Sequence, residues 1–405
     1  MQKTPFTPYQ RKLFFFLSIA TFFEGYDFYA LSQILTNLTE EFDLPLEASG
    51  YIVGAVNIGA VLAFWLVRKA DVWGRKRVLT VTILGYTVFT VLSGFATNIY
   101  IFVAAQLLAR VFLLAEWAIS MVIAAEEFPA DRRGMTLGVI QACSSLGSIF
   151  CAGVVPLLLA TSYGWRTVYF VGAIPLVILM AARRGLKETK RFQEAKAPPM
   201  PLLAVWKTPH ARNILVLGLI WFVAYIPAQN AVSFWKVFAV NERGFTDVDV
   251  SQSLTFAAIV SMPFVFGSGK LLDRLGRKLG AAVVFSLGGV GVILCYTLES
   301  HWALTIALTL GIFGASAYLP LLNAYTSELF PTQLRGTAAA WSNNLLGRFG
   351  YVLSPFFVGL AVRETGAYGP VVASTAVFSF VSIGLIYWLL PETANKELEE
   401  TAGSA

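Results

Sequence analysis

The stretches DVWGRK (Asp71 to Lys76) and DRLGRK (Asp273 to Lys278) are near copies, 202 positions apart (273 − 71). A second pair keeps the same spacing. EEFPADRRG (Glu126 to Gly134) is matched by SELFPTQLRG (Ser327 to Gly336), and Pro331 − Pro129 and Gly336 − Gly134 are both 202. Two unrelated motifs sharing an offset of half a 405-residue chain imply an internal duplication.

Outward from these four stretches, short charged loops alternate with long apolar runs. Hydrophobic residues make up 57% of the chain and charged ones only 13%, against about 25% charged in a soluble domain. Most of the surface therefore has no need of water. A helix crossing a bilayer takes about 20 largely apolar residues. Runs of that kind lie at 13–35, 50–67, 78–96, 99–124, 136–160, 167–185, 214–240, 252–272, 279–298, 302–326, 337–362 and 369–390. Backbone groups in lipid must bond within helices or closed barrels, and the alternation of barrel strands is absent. The sequence predicts an all-α membrane protein of twelve transmembrane helices, six in each half. The start, MQKTPFTPYQRK, offers no small-residue cleavage site, and the first apolar run is too long and too acidic for a signal peptide. Residues 1–185 are expected to form one six-helix bundle. The polar, basic, proline-bearing stretch 186–212 is read as a cytoplasmic linker, and 213–405 as a second bundle with a short cytoplasmic tail.

Sorting the 30 Lys and Arg by these spans puts 24 in the two tails and the even-to-odd loops. Three (Arg166, Arg243, Arg363) fall in opposite-side loops and three (Arg110, Lys236, Arg348) within spans. Basic residues mark the cytoplasmic side, so both termini are expected there. The first external loop, TNLTEEFDLPLE, is purely acidic and agrees. This topology accounts for the net charge of +6 and the pI near 9.1, which therefore do not argue for nucleic acid as a partner. The partners expected are the lipid bilayer, protons and a small organic solute, with the chain a monomer. Cys143, Cys151 and Cys295 lie within spans, where a thiol acts as a small apolar group. His210 and His301 sit in or beside loops, which disfavours a histidine proton relay. No Walker loop, metal-ligand spacing or nucleophile and base constellation occurs. The expectation is therefore no cofactor, no metal and no enzymatic activity.

GKLLDRLGRK at Gly269 to Lys278 resembles the cytoplasmic loop signature of the major facilitator superfamily, and with the duplication the resemblance covers essentially the whole chain. It implies two pseudo-symmetric six-helix bundles, with the solute site near mid-bilayer between them. The first copy, VRKADVWGRK, keeps Asp71, Gly74 and Arg75 but carries Val67 and Lys69 where the family usually has Gly and Leu. Asp71, Gly74 and Arg75, with Gly269, Asp273, Arg274, Gly276 and Arg277, are read as a cytoplasmic gate whose ion pairs form in one state and break in another. The alternative is charge that serves topology alone. Three shorter matches narrow the resemblance. FFEGYDFYAL (Phe22 to Leu31) resembles first helices of proton-coupled metabolite and aromatic-acid symporters. PETANKELEE (Pro391 to Glu400) resembles the end of sugar porters and their organic-ion relatives, and GRFGYVLSP (Gly347 to Pro355) an eleventh-helix pattern of organic-anion carriers.

A charge inside a span costs roughly 2.5–3.5 kcal/mol on insertion scales, so the few present are functional candidates. Glu24 and Asp27, three apart, share a face of the first helix. Arg110 sits at similar depth on the fourth helix, beside the first in the family fold, and Asp27 with Arg110 is the expected proton-coupling pair. A structural ion pair is the alternative. Glu24 is a further coupling candidate. Glu116 follows Arg110 by six residues and so points about 120° away from it, which leaves coupling and structure equally open. Arg348 has no acidic residue at comparable depth in its half, and its guanidinium offers a fork for a carboxylate. It is expected to anchor the substrate, the alternative being bonds to backbone carbonyls. Gln229, Asn230, Tyr318, Asn323, Trp341, Asn343 and Asn344 complete the candidate cavity, although interhelical packing suits any one of them. Lys236, near the outer end of its span, is expected to snorkel.

The function expected is proton-coupled symport of a small organic anion, a monocarboxylate or aromatic acid, by alternating access in a bacterial inner membrane. A sugar-proton symporter, a proton-driven drug or metabolite exporter and a non-transporting solute receptor are the alternatives.

Overall fold

A computed structural model describes residues 5–182, 186–189, 202–331 and 334–394. Residues 190–201 of the expected linker and the tail beyond 394 lie outside this range. Six helices make the first half: α1 (Pro8–Glu41), α2 (Ala48–Trp73), α3 (Arg75–Gly94), α4 (Ile99–Glu127), α5 (Ala130–Leu159) and α6 (Arg166–Ala182). A 3₁₀ turn at Leu202–Lys207 precedes the second set. This comprises α7 (Ala211–Ser233), α8 (Trp235–Arg243), α9 (Asp247–Leu275), α10 (Arg277–Thr297), α11 (His301–Glu328), α12 (Arg335–Thr365) and α13 (Tyr368–Leu389). The seventh span is thus two helices, α7 and α8, broken at Phe234. Within α12 the residues Ala340–Gly347 form a π-helical stretch, and α13 loosens at Thr375 and Ala376. Twelve crossings in a repeated arrangement agree with the sequence. Ten helices are long and apolar enough to cross a membrane among the described residues. Of the other two, α1 is diluted by Glu24, Asp27, Gln33 and Asn37, and α6 is described over only 17 residues.

Local chemistry sets the helix ends. Thr7 and Gln10 form a capping box at the start of α1, Thr246 and Asp249 another at α9, and Asn98 caps α4. The glycines of the duplicated loop have a backbone reason to be there. Gly74 (φ 96°) and Gly276 (φ 85°) turn the chain directly into α3 and α10, in a region of φ and ψ that side chains oppose.

Contacts divide the chain into two units. One holds residues 1–43 and 55–199, the other 44–54 and 200–405. In the first, α1 packs on α4, α5 and α6, and α3 on α4 and α6. In the second, α7 packs on α11, α12 and α13, and α10 on α11 and α13, which repeats that pattern helix for helix. The tightest crossings repeat as well. A Cβ on Gly147 would lie 1.8 Å from the Phe22 carbonyl oxygen, and one on Gly350 would lie 2.1 Å from that of Phe222. Backbones touch at both places, as small residues permit between membrane helices.

Candidate functional site

The first unit gathers its charges around α1. Glu24, Asp27, Arg110 and Glu116 are 7%, 3%, 5% and 3% exposed. Asp27 and Arg110 are near enough for each to feel the other's charge, yet they close no direct ion pair: Asp27 Oδ1 and Arg110 Nη1 are both buried without a hydrogen-bond partner. The Arg110 guanidinium instead lies over the Phe28 ring, 4.8 Å from its centroid. From α3 the Tyr86 hydroxyl donates to the Phe23 carbonyl oxygen at 3.4 Å and stands near enough to Asp27 to sense its charge. Glu24 accepts a 2.7 Å bond from Ser144 on α5, where Ser148 also donates to the Gly25 carbonyl. The structure therefore brings the expected pair together, with Glu24 beside it. It adds Tyr86, which the sequence did not single out, while Glu116 accepts a 2.7 Å bond from Ser120 on its own helix.

In the second unit Arg348, the first residue after the π-helical stretch, is half-buried. Its guanidinium lies 5.3 Å from the Tyr225 ring centroid and 5.4 Å from that of Tyr351. Among the described residues, no carboxylate pairs with it. Tyr225 donates a 2.7 Å hydrogen bond to Asn343 Oδ1 and packs against Trp221, Tyr318 and Tyr351. This aromatic wall against a lone guanidinium is suited to a flat anion. The sequence pointed to Arg348 and Tyr318 but missed Tyr225, Tyr351 and Trp221, whose types are common in any apolar span. The amides of α7 are already engaged: Gln229 donates to Ser233 on its own helix at 2.8 Å, and Asn230 Oδ1 accepts from Ser354 on α12 at 3.3 Å. Asn230 Nδ2 is buried without a partner. Asn323 and Asn344 are exposed, and Trp341 packs edge-on against Trp206 of the 3₁₀ turn, 4.9 Å between centroids.

Lys236 departs from expectation. Its side chain is only 2% exposed and pairs with Asp247 at 2.5 Å. Snorkelling is unnecessary because the short turn through Gly244 brings the first residue of α9 back to it.

The duplicated cytoplasmic motifs form the same network in each unit. Arg75 bridges Asp71 (3.1 Å) and Glu126 (3.4 Å), and Arg277 bridges Asp273 (3.0 Å) and Glu328 (2.8 Å). A carboxylate from beyond the sixth or twelfth crossing completes each. Glu188 accepts from the backbone N–H of Arg75 at 3.0 Å and Thr189 donates to Glu126 at 2.5 Å; Glu392 accepts from Arg277 N at 2.8 Å and Lys278 N at 2.9 Å, and Thr393 donates to Glu328 at 2.6 Å. Each glutamate thus sits as an anion on a helix N-terminus. These bonds lie inside a unit, where the sequence reading expected a gate. Arg274 is exposed and forms no ion pair among the described residues, so Arg277 is the arginine that works in this copy. A Cβ on Gly269 would meet nothing within 4 Å, so this glycine is not required by close packing.

Burial alone would push the Glu392 carboxyl up, but the backbone N–H groups of Lys278, Ala394 and Arg277 outweigh it and hold the carboxyl below its ordinary value. Its stabilisation is therefore complete above about pH 4.3 and is lost as the pH falls through the depressed native value. Glu392→Gln should cost about 1 kcal/mol, read as a lower thermal midpoint at neutral pH. The gap from wild type should close in acid, and a constant gap would contradict the charge-based cap.

Comparison with known proteins follows the same lines. The family model described as Major Facilitator Superfamily matches residues 17–355. A putative niacin/nicotinamide transporter of Bacillus subtilis (strain 168) is 23% identical over 399 residues, covering 96% of this chain and 98% of the relative. A probable 4-methylmuconolactone transporter of Cupriavidus pinatubonensis is 26% identical over 409 residues, covering 97% and 93%. Among solved structures, a bacterial homologue of the human lysosomal transporter Spinster, in an inward-facing and unoccupied conformation, superposes with a TM-score of 0.76 at 14% identity. It covers 95% of this chain and 97% of that one.

Proposed function

Because this chain belongs to the Major Facilitator Superfamily, an integral-membrane transporter class, we propose that it carries a small organic anion, a monocarboxylate or aromatic acid, by proton-coupled symport and alternating access. The observation that carries the proposal is Arg348, a guanidinium without a carboxylate partner among the described residues, set on the rings of Tyr225 and Tyr351. In such surroundings the solute supplies the missing negative charge and a flat face. The names of the relatives support a small ring compound as solute. Asp27 is the proton carrier and Arg110 the cation that attracts its charged form, so a change in their separation switches proton affinity. Tyr318, Asn323 and Asn344 extend the solute pathway, Gln229, Asn230 and Trp341 support it, and the two cytoplasmic networks alter as the carrier cycles. The distribution of Lys and Arg supports both termini in the cytoplasm, in a bacterial inner membrane.

Proteoliposomes offered nicotinate, other organic acids, sugars and lipophilic cations test this reading. The expected result is accumulation of acids that depends on an inward proton gradient. Acid uptake unchanged by collapse of the gradient would remove the coupling, and selectivity for sugars or cations would remove the anion.

A further inference from the structure

The π-helical stretch before Arg348 closes a ring of contacts. The Arg348 backbone N–H bonds to the Asn343 carbonyl, five residues back. The Asn343 side chain accepts a 2.7 Å bond from the Tyr225 hydroxyl, and the Tyr225 ring lies 5.3 Å from the Arg348 guanidinium. The circuit runs from backbone through amide and ring to guanidinium and back. We propose that Asn343 is a positioning residue for solute recognition: through Tyr225 it holds a flat aromatic face against the Arg348 anchor, and so sets a preference for flat over aliphatic acids. This deepens the anion transport proposed above and rests on it.

Helix geometry carries the inference. At 100° per residue an α-helix would set residues five apart about 140° round the axis from each other, with the Arg348 N–H bonded to Asn344. A π turn takes one residue more and brings Asn343 beneath Arg348, so its amide can meet a ring that lies on the guanidinium. Such turns are rare and often stand at functional sites. Packing on α7 supports this one. A Cβ on Gly347 would lie 2.6 Å from Trp221 Cβ, and one on Gly218 would lie 2.7 Å from Leu346 Cδ1, so both approaches need glycine. An amide also suits the task chemically. Its oxygen accepts from a phenol, yet it brings no charge that would pair with Arg348 and compete with the solute. A tyrosine tethered at its hydroxyl offers one fixed face, whereas an untethered ring can change rotamer.

Modification of Arg348 by phenylglyoxal, followed by mass spectrometry of the purified protein, reads the position of the ring without any solute. Tyr225→Phe keeps the ring and loses only the hydroxyl, and Asn343→Leu loses the acceptor. Each is expected to speed modification about fivefold, the worth of one net hydrogen bond, and the double variant no further. Binding of nicotinate and of propionate, measured by calorimetry, reads the consequence. Either variant should weaken nicotinate about fivefold and propionate less than about twofold, a split that a strut serving only the fold would not produce. Should Asn343→Leu not fold, Tyr225→Phe carries both readouts. Modification at the wild-type rate, or equal losses for the two acids, overturns the role of Asn343. Acid binding lost in Arg348→Ala but unchanged in Tyr225→Phe overturns this inference alone, whereas a wild type that binds neither acid overturns the anion reading beneath it.

Discussion

Arg348→Ala is expected to lower the catalytic efficiency of organic-acid uptake about 100-fold while leaving the fold intact. The size follows from the bonds at stake. Two charge-assisted hydrogen bonds from one guanidinium to a carboxylate are together worth about 3 kcal/mol, and each 1.4 kcal/mol is about tenfold. The accompanying stability measurement separates an anchor from a strut. A structural arginine leaves its partners unsatisfied when removed, and the melting temperature falls. Arg348 has two aromatic rings and no carboxylate partner among the described residues, so its loss should leave the melting temperature unchanged or raise it. Nicotinate and other acids should also stabilise wild type but not the variant. Arg348→Lys should recover only part of the uptake, since an ammonium keeps the charge but lacks the planar fork. Full uptake by Arg348→Ala in proteoliposomes would remove the anchor.

Asp27→Asn should abolish accumulation against a gradient while solute counterflow continues. Asparagine matches the carboxyl in shape, so packing around α1 survives, but it can neither carry a proton nor draw Arg110. A carrier with its proton site neutralised still exchanges labelled for unlabelled solute, because exchange needs no net proton movement. The expected accumulation ratio in the variant is about one, whatever pH gradient is imposed. Gradient-driven accumulation that survived in Asp27→Asn would place the coupling elsewhere, with Glu24 and Glu116 the next groups to test.

The fold was legible because two kinds of sequence signal agreed. Apolar runs gave the crossings, and the paired motifs at 202 residues gave the halves. The cation at Arg348 was legible for a related reason, since a guanidinium so far from any acid in its own half stands out against an apolar background. Its surroundings were not, because Tyr225 and Tyr351 look like any other aromatic residues in a span until the rings are seen beneath the guanidinium. Helical geometry could turn Glu116 away from Arg110 but could not name its surroundings. An angle measured along one helix says nothing of what a neighbouring helix presents, and Glu24 is held from α5 by Ser144. The break at Phe234 and the burial of Lys236 depend on how α8 and α9 return on each other, which hydropathy does not encode. One further signal was present and went unused. The pairs Glu188-Thr189 and Glu392-Thr393 recur 204 residues apart (392 − 188), two positions off the main repeat.

That last pair has a practical consequence for anyone handling the gene. The first glutamate lies between the two halves, but its counterpart follows the last crossing, where expression clones are commonly trimmed. An expression clone shortened to residue 390 would discard Glu392 and Thr393 together, stripping α10 of its anion and Glu328 of a donor at one stroke. Affinity tags belong beyond residue 394, where the cut or fusion spares both.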